Sequence, residues 1–240
     1  MNVKATSLHM CRLCGNAANN TDYLVKEMQI GTRYEFQYLK CAKCGCLQII
    51  EIPIEMNRYY PHAYRAFYRT KSGQENTSTS IRKRVRNLWF RQKLRNLWKR
   101  AYIDRHVLVN RFFIKTLGKP GLPEWMVSTG ITTMSRVLDV GCGDGLLLSQ
   151  MKEIGFKDLA GIDPYMPFEL VQPVGITFSN QELGDLEDTK QQYDLIMLHH
   201  SLEHIRDQFE TLRQIYKLLT EDGSVVIRIP IVSSFVWRRY

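Results

Sequence analysis

The stretch that decides the fold is Val137-Leu138-Asp139-Val140-Gly141-Cys142-Gly143-Asp144-Gly145. The aliphatic and β-branched run from Arg136 to Val140 predicts a short buried strand. After the glycine turn, the run from Leu146 to Met151 begins a helical pattern. A strand, a glycine-rich turn and a helix together aim backbone N–H groups and a helix dipole at a ligand. The sequence therefore predicts a ligand-binding turn here.

The spacing of the glycines narrows the choice of ligand. A dinucleotide fingerprint, G-x-G-x-x-G, would need a third glycine where this chain has Leu146. Instead Gly141, Gly143 and Gly145 alternate, and Asp139 precedes them by two residues. An acid at that position suits a cationic amino group better than a pyrophosphate. The alternative interpretation is a tight glycine turn in some other α/β protein. The D-x-G-x-G-x-G pattern resembles motif I of the class I S-adenosylmethionine-dependent methyltransferases.

A second acid follows at the end of the next predicted strand. Leu159 to Ile162 reads as that strand, and Asp163 follows it directly. An acid about twenty residues beyond the first glycine is where a carboxylate accepts both hydroxyls of a ribose. The alternative is a turn or helix-capping role for an aspartate that precedes proline.

The remaining pattern alternates strands and helices. Further strands are predicted over residues 175–180, 193–198 and 224–230, with Asp222-Gly223 ending the helix before the last strand. That helix, residues 208–219, has apolar residues at helical spacing, namely Phe209, Leu212, Ile215, Tyr216 and Leu219. This alternation predicts an α/β fold with a Rossmann-like, parallel, doubly wound sheet. Ligands of such sheets bind at the carboxyl ends of the strands, where the two aspartates and His199-His200 fall.

The N-terminal segment, residues 1–54, carries two paired cysteines. Cys11-x-x-Cys14 and Cys41-x-x-Cys44 have the spacing of a zinc ribbon. Four thiolates close a tetrahedral shell, so the site is expected to be structural. Disulfides are the alternative, but no secretion signal is visible. Cys46 is a spare thiol, and Tyr34 to Leu39 alternates like a half-buried strand.

Residues 55–133 form a predicted helical bridge with a basic block. Between Ile81 and Arg100 there are nine Lys or Arg and no acid. A long helix is predicted over 81–116, with an apolar stripe that Leu94 does not fit. The stripe consists of Ile81, Val85, Leu88, Trp89, Leu97, Trp98 and Ala101. Such a helix suits packing on the catalytic domain, contact with a membrane surface or lipid-linked substrate, or contact with RNA. A solvated helix face is the plain alternative.

Composition bounds the class of protein. The 240 residues are 44% hydrophobic with a net charge of +9, as in a soluble globular chain of one domain and an appendage. No apolar run approaches the length of a membrane span, and the N-terminus lacks an apolar signal core. We therefore expect a cytoplasmic protein, or one peripheral to the inner face of the membrane.

From Ser135 onward the chain resembles class I methyltransferases of the ubiquinone-biosynthesis-like branch. The matching segments are VLDVGCGDG, GIDP, YDLIMLHHSLEHI, KLLTEDG and SVVIRIP. The N-terminal cysteine pairs with the aromatic segment after them are similar to zinc-bearing methyltransferases of sugar and cell-surface polysaccharide biosynthesis. The resemblance implies a methyltransferase domain over residues 134–240.

The resemblance also implies a set of site residues. S-adenosylmethionine would be bound by the backbone from Gly141 through Cys142 and Gly143 to Gly145, with Asp139 near its amino group and Asp163 on its ribose. His199 would lie near the sulfonium. The general base would be His200, Glu203 or His204, although helix capping is an equal expectation for the last two.

One departure concerns the last strands. The family fold has two further strands after the fifth, and the sequence ends at Tyr240. The expectation is a truncated chain, or a sheet edge completed by another chain, including a second copy. The leading function is methyl transfer to a small-molecule acceptor, a sugar or cell-surface polysaccharide precursor. The alternatives are a ribosomal-RNA methyltransferase and a non-catalytic, cofactor-binding adaptor.

Overall fold

The computed structural model describes residues 2–6, 9–28, 31–54, 92–105, 121–166 and 175–232. It divides the chain into two compact units, one comprising Met1–Pro61 with Pro230–Tyr240 and the other His62–Ile229. No described helix has the length and apolar character needed to cross a membrane. Most of the predicted bridge, including the aromatic segment after residue 55 and the basic residues 81–91, lies outside the described residues.

The first unit contains a four-stranded antiparallel sheet. Its strands follow one another in space in chain order: β1 (Asn2–Thr6), β2 (Thr21–Lys26), β3 (Glu35–Lys40) and β4 (Leu47–Ile49). The strand predicted from the alternating aromatic residues is β3. The buried centre is small, with Leu39, Cys11 and Cys41 each nearly inaccessible to solvent. A centre made largely of thiols indicates that the cysteines, rather than an apolar core, hold this unit together.

The second unit contains a five-stranded parallel sheet in the order β7-β6-β5-β8-β9. These strands are β5 (Arg136–Val140), β6 (Asp158–Ile162), β7 (Thr177–Ser179), β8 (Tyr193–His199) and β9 (Leu219–Arg228). The described α-helices are α1 (92–103), α2 (Glu124–Ser128), α3 (Leu146–Ile154) and α4 (Gln208–Leu218). The predicted Rossmann-like fold is confirmed. The strand order reverses at β5, so the crevice beside β5 and β8 is the expected ligand site.

Both faces of this sheet are buried, and the two-residue period of the strands separates them. Val137, Leu195 and Met197 belong to one core cluster, which includes residues of α2 and α3. The intervening Leu138 and Ile196 belong to the opposite cluster, which includes residues of α4. Burial on both faces explains why the central strands are continuous apolar runs instead of alternating ones.

Helix α1 packs on the α/β unit through its C-terminal end. Trp98, Ala101 and Ile103 are buried, and Ile103 joins the core cluster of α2 and α3. Just beyond the helix, the Asp104 carboxylate accepts hydrogen bonds of 2.7 and 2.9 Å from the N–H and hydroxyl of Thr133. The apolar stripe was wrong at one described position: Leu97 is 51% exposed, because the helix buries only the side that carries Trp98 and Ala101.

The boundary between α4 and β9 differs from the prediction. The helix ends at Leu218 and the strand starts at Leu219, so Asp222-Gly223 lies within β9. The pairing with β8 jumps from Tyr193–Leu219 to Leu195–Ser224, which shows that extra residues bulge out there. In the described residues, β9 forms one edge of the parallel sheet and β7 forms the other.

The apolar pattern of α4 was also only partly right. Phe209, Leu212 and Tyr216 are 50%, 38% and 82% exposed. Only one side of α4 faces the sheet, where Ile215 and Leu218 are buried. The aromatic residues at helical spacing lie on the outer side of the helix.

Candidate active site and cysteine cluster

The predicted glycine turn lies at the carboxyl end of β5. Gly141, Gly143 and Gly145 have φ angles of +74°, +56° and +68°, a left-handed conformation that side chains disfavour. The Gly141 N–H donates a 2.8 Å hydrogen bond to the carbonyl of Ile162, which ties the turn to β6. A Cβ on Gly141 would lie 2.4 Å from the Cβ of Ser201. Glycine is therefore required at position 141 both by conformation and by space.

Asp139, on β5 just before the turn, is 3% exposed. Its Oδ1 is buried and has no hydrogen-bond partner among the described residues. Burial raises the pKa of Asp139 to about 7, and the nearby charge of Asp163 adds to the rise. A buried, unpartnered carboxylate oxygen is costly. The arrangement fits a cationic ligand group that would supply the missing partner and favour the ionised form.

Asp163, at the end of β6, is 7% exposed and held by two backbone donors. The N–H of Gly143 donates to Oδ2 at 3.0 Å, and the N–H of Tyr165 donates to Oδ1 at 2.9 Å. Burial raises the pKa of Asp163, and the two hydrogen bonds oppose that rise. Each oxygen of a carboxylate has two acceptor sites, so both remain able to accept a further hydrogen bond. A vicinal diol is the ligand that would use both.

His199, the last residue of β8, lies against an aromatic side chain that the sequence did not single out. The ring centroids of Trp125 and His199 are 5.4 Å apart, with an interplanar angle of 52°. The Nε2 atom of His199 is buried and has no partner among the described residues. Burial lowers the pKa of His199, and the positive charges of Arg228 and His200 lower it further. The imidazole is therefore neutral at physiological pH.

The next residue, His200, forms a strained turn that separates it from His199. Its φ is +57°, and its N–H donates a 2.8 Å hydrogen bond to the carbonyl of Arg228. Its Nδ1 lies 3.7 Å from Oε1 of Glu203, close enough for an ion pair when the imidazole is protonated. The strain occurs at the carboxyl edge of the sheet, where such outliers often accompany function.

Ser201 and His204 belong to the same connection. The Ser201 hydroxyl is buried and donates a 2.6 Å hydrogen bond to the carbonyl of Val140, directly before the glycine turn. The N–H of His204 donates to the carbonyl of Ser201, within the single turn of 3-10 helix formed by Leu202–His204. The β8 exit loop and the glycine turn are thus fastened together.

Cys142, inside the glycine turn, faces the protein interior. Its thiol is buried, and its Sγ would lie 2.8 Å from a Cβ placed on Gly161. Burial raises the pKa of Cys142 well above the usual value of a thiol, so the group stays protonated. Its side chain acts in packing, and its backbone N–H donates a 3.2 Å hydrogen bond to the carbonyl of Ile162.

The acidic stretch after β7 forms the 3-10 helix Leu183–Thr189, in which some acids already have structural roles. The Asp185 carboxylate accepts a 2.9 Å hydrogen bond from the N–H of Glu182 and so caps the helix. Glu187 pairs with Lys217 at 2.8 Å. These contacts connect the segment to itself and to α4.

The four cysteines of the two pairs come together in the first unit. The sulfur atoms of Cys11 and Cys44 are 3.7 Å apart, those of Cys14 and Cys41 are 3.5 Å apart, and all four lie within 4.8 Å of one another. Zinc–sulfur bonds of about 2.3 Å place neighbouring sulfurs about 3.8 Å apart in a tetrahedron. A disulfide would need sulfurs at about 2.05 Å. The geometry therefore fits four thiolate ligands around one ion.

Backbone groups favour the thiolate form of one cysteine in this cluster, Cys41. The N–H groups of Cys44 and Lys43 point at Sγ of Cys41, at 3.4 and 3.3 Å. These hydrogen bonds, the one from Cys44 first, lower the pKa of Cys41 to about 6. The thiolate is the form that binds metals.

Comparison with known proteins decides the family. Residues 105–240, more than half of the chain, match the family model described as a methyltransferase domain. The chain belongs to this methyltransferase domain family.

Curated relatives match part of this methyltransferase domain. The chain is 26% identical over 100 residues to a ubiquinone biosynthesis O-methyltransferase of Azorhizobium caulinodans, covering 38% of this chain and 39% of that protein. It is 32% identical over 108 residues to a tRNA U34 carboxymethyltransferase of Helicobacter acinonychis, covering 41% of each. The chain thus spans about two fifths of the length of these relatives.

Among solved structures, a sugar N-methyltransferase of a Streptoalloteichus species is 18% identical, with a TM-score of 0.34 over 68% of this chain and 58% of that chain. The plantazolicin methyltransferase in complex with SAH is 17% identical, with a TM-score of 0.37 over 57% and 58%.

The structure brings most of the predicted site residues of the methyltransferase domain to one edge and adds two others. Asp139, the glycine turn, Asp163 and His199 all lie at carboxyl ends of neighbouring strands. The sequence did not single out Ser201 or Trp125. Ser201 lies in the predicted strand-exit motif, which was a usable signal. Trp125 is on a separate short helix, and no spacing connects it to His199.

Proposed function

We propose that this chain binds S-adenosylmethionine and transfers its methyl group to a small-molecule acceptor, a sugar or cell-surface polysaccharide precursor. The observation that carries the cofactor assignment is the buried Oδ1 of Asp139, which has no partner in the described residues. The amino group of the cofactor would pair with it. Asp163 would accept the ribose hydroxyls, and the turn from Gly141 to Gly145 would lie against the cofactor.

The proposed reaction needs a donor, an acceptor and a base. When bound, the cofactor would supply an electrophilic methyl group at its sulfonium and would leave as S-adenosylhomocysteine. The acceptor oxygen would gain the methyl group and lose its proton to a base. Holding the two reactants in line supplies most of the rate enhancement.

His200 is the base we favour among the three candidates. Its side chain is half-exposed, and its Nδ1 lies 3.7 Å from the Glu203 carboxylate, which would stabilise the imidazolium after proton uptake. Glu203 would act through His200. His204, whose backbone N–H holds the turn, is the alternative base.

We infer that Cys11, Cys14, Cys41 and Cys44 hold a structural Zn²⁺. The support is the tetrahedral sulfur spacing described above and the small apolar centre of the first unit. A closed shell of four thiolates leaves no position for substrate. The ion would stabilise the fold of this unit and take no part in methyl transfer.

RNA is the second candidate acceptor. The observations that favour it are the similarity to a tRNA carboxymethyltransferase and the exposed Lys93 and Arg95 on α1. Arg100 of the same block pairs with Asp104 at 3.5 Å, and its side chain covers Gly155. RNA binding would fall steeply with salt, since each neutralised phosphate adds to the salt dependence.

The test is transfer of a tritiated methyl group from S-adenosylmethionine to two sets of acceptors, nucleoside-diphosphate sugars and total tRNA or ribosomal RNA. We expect label in a sugar, and none with Asp163→Ala. Label in RNA that declines steeply with salt would replace the sugar assignment by the RNA one. Tight cofactor binding without transfer to either set would favour the non-catalytic adaptor.

A further inference from the structure

The contact between Trp125 and His199 is not required for any cofactor contact proposed above. Trp125 lies on α2, which is fixed to the core of the α/β unit by the buried Met126. Its partly buried indole packs on the same core cluster and meets the imidazole at 5.4 Å between ring centroids. The contact joins α2 to the carboxyl end of β8.

The imidazole that contacts the Trp125 indole has a buried nitrogen whose hydrogen bonding is not satisfied. The Nε2 atom is withdrawn from solvent and has no partner among the described residues. A nitrogen buried in this way loses its hydrogen bonds to water and gains nothing in return. Such an atom is expected to receive a partner at some stage of the protein's working cycle.

The charges around the ring favour an uncharged partner. Burial lowers the pKa of His199, the positive charge of Arg228 on β9 lowers it further, and His200 does so when it is protonated. A neutral imidazole surrounded by positive charge suits a hydroxyl or amine of a neutral or anionic molecule.

We propose that Trp125 is a positioning residue that covers the imidazole of His199, fixes its orientation and reserves Nε2 for a hydrogen bond with the methyl acceptor. This inference rests on the proposed function. A polar group of the acceptor that displaces part of the indole cover would supply the partner that Nε2 lacks. His199 would then orient the acceptor, while His200 accepts its proton.

Diethylpyrocarbonate, which modifies neutral and accessible imidazoles, tests whether Trp125 covers His199. Mass spectrometry of the peptide that contains His199 measures the rate of modification. We expect Trp125→Leu to speed modification of His199 by about fivefold or more, as local protection is lost. Trp125→Phe keeps an aromatic cover and should stay close to the wild type. Tyr216→Leu is the matched control, because it removes an aromatic side chain that is 82% exposed on α4. Equal rates in Trp125→Leu and the wild type overturn the proposal.

A second measurement needs no destabilising variant. Protonation of His199 quenches an indole in contact with it, so the tryptophan emission of the wild type should follow the titration of His199. The change should be absent from His199→Phe, with the other three tryptophans as constant background. Because the pKa of His199 is lowered, the scan runs from pH 8 down to the lowest pH at which the chain stays folded, and emission that does not change over that range contradicts the contact.

The acceptor role is tested in the transfer assay. Trp125→Leu should lower kcat/KM for the acceptor and leave the affinity for S-adenosylmethionine unchanged, and Trp125→Phe should restore most of the loss. An unchanged kcat/KM overturns the inference. Failure of the wild type to bind the cofactor would instead overturn the proposed function, because the covering of His199 is measured without any cofactor.

Discussion

The backbone N–H of Gly143 donates a 3.0 Å hydrogen bond to Oδ2 of Asp163. This bond joins the glycine turn after β5 to the acid after β6, two motifs that are twenty residues apart in the chain. The two motifs therefore form one structural unit. A change at Asp163 would release the turn as well as remove the proposed ligand contact.

Asp139 should make the ligand-free protein less stable as the pH rises. Its pKa is about 7 in the folded chain and 3.8 ordinarily, so the folded state binds more protons than the unfolded state between these values. The free energy of unfolding should fall from about pH 4 to pH 7. Asp139→Asn should remove that contribution and stabilise the ligand-free chain at pH 8 by roughly 1 to 3 kcal/mol.

Urea denaturation at several pH values measures this effect, with Asp144→Asn as the control acid in the same turn. The stabilised Asp139→Asn should bind S-adenosylmethionine poorly. An Asn variant that loses stability and still binds the cofactor would refute the role given to this carboxylate.

Zinc content should depend on four of the five N-terminal cysteines. We expect about one zinc ion per chain in the wild type and in Cys46→Ser, whose thiol lies outside the cluster. Cys14→Ser should lose most of the metal and weaken the first unit. Elemental analysis and thermal unfolding with and without a chelator check this. A disulfide between Cys11 and Cys14 in the non-reduced protein would support the disulfide interpretation of these cysteines instead of the zinc site.

Asn20 should be needed for the two cysteine turns to stay together. It is 1% exposed and its amide donates 2.9 Å hydrogen bonds to the carbonyls of His9 and Asn16. Its carbonyl oxygen accepts from the N–H of Ala42, at 3.0 Å, next to the second cysteine pair. Asn20→Ala should lower the free energy of unfolding of this unit by about 2 kcal/mol or more, since it leaves buried backbone groups unpaired.

Asn19→Gly is the control for that measurement, because Asn19 has φ of +56° and glycine adopts this conformation easily. Thermal unfolding followed at the metal site should shift strongly for Asn20→Ala and little for Asn19→Gly. Similar melting temperatures for both would show that the network is not needed.

Gly141→Ala should disrupt the site by steric conflict. The new Cβ would lie 2.4 Å from the Cβ of Ser201, at a residue with φ of +74°. We expect a loss of roughly 2 to 4 kcal/mol in the free energy of unfolding and weaker cofactor binding. Gly121→Ala is the control, since no atom lies within 4 Å of that Cβ.

Adding Ser201→Gly to Gly141→Ala should recover part of the lost stability, because the conflicting side chain is gone. Denaturation curves of the single and double variants measure this coupling. If the two substitutions change the free energy of unfolding additively, the contact between positions 141 and 201 is not the cause of the lost stability.

The fold was predictable because its signals are local. Apolar runs for β5 and β8, a glycine turn between strand and helix, and paired cysteines each lie within a few consecutive residues. The order in which these elements follow one another then selects the sheet topology. The end of α4 was mispredicted because Asp222-Gly223 reads as a helix stop, while pairing with β8 draws residues from Leu219 onward into a strand. Tertiary pairing overrode the local signal.

The site was predictable only where its residues lie in motifs. Asp139 lies in β5 two residues before the glycine turn, and Asp163 directly follows β6. Oδ1 of Asp139 is buried because residues pack on both faces of the sheet. Those residues are far apart in the sequence, so no local pattern predicts the burial. Trp125 meets His199 across 74 residues of chain, and only the folded structure brings them together.

The most direct test of the account is a calorimetric titration of S-adenosylmethionine and S-adenosylhomocysteine into the purified chain, with Asp163→Ala alongside and NADH as the control ligand. We predict micromolar binding by the wild type, none by Asp163→Ala, and none of NADH. Ligand at a hundred times its dissociation constant should also stabilise the wild type by about 2.7 kcal/mol. A folded, zinc-loaded chain that binds neither compound, or an Asp163→Ala variant that binds as tightly as the wild type, would contradict it.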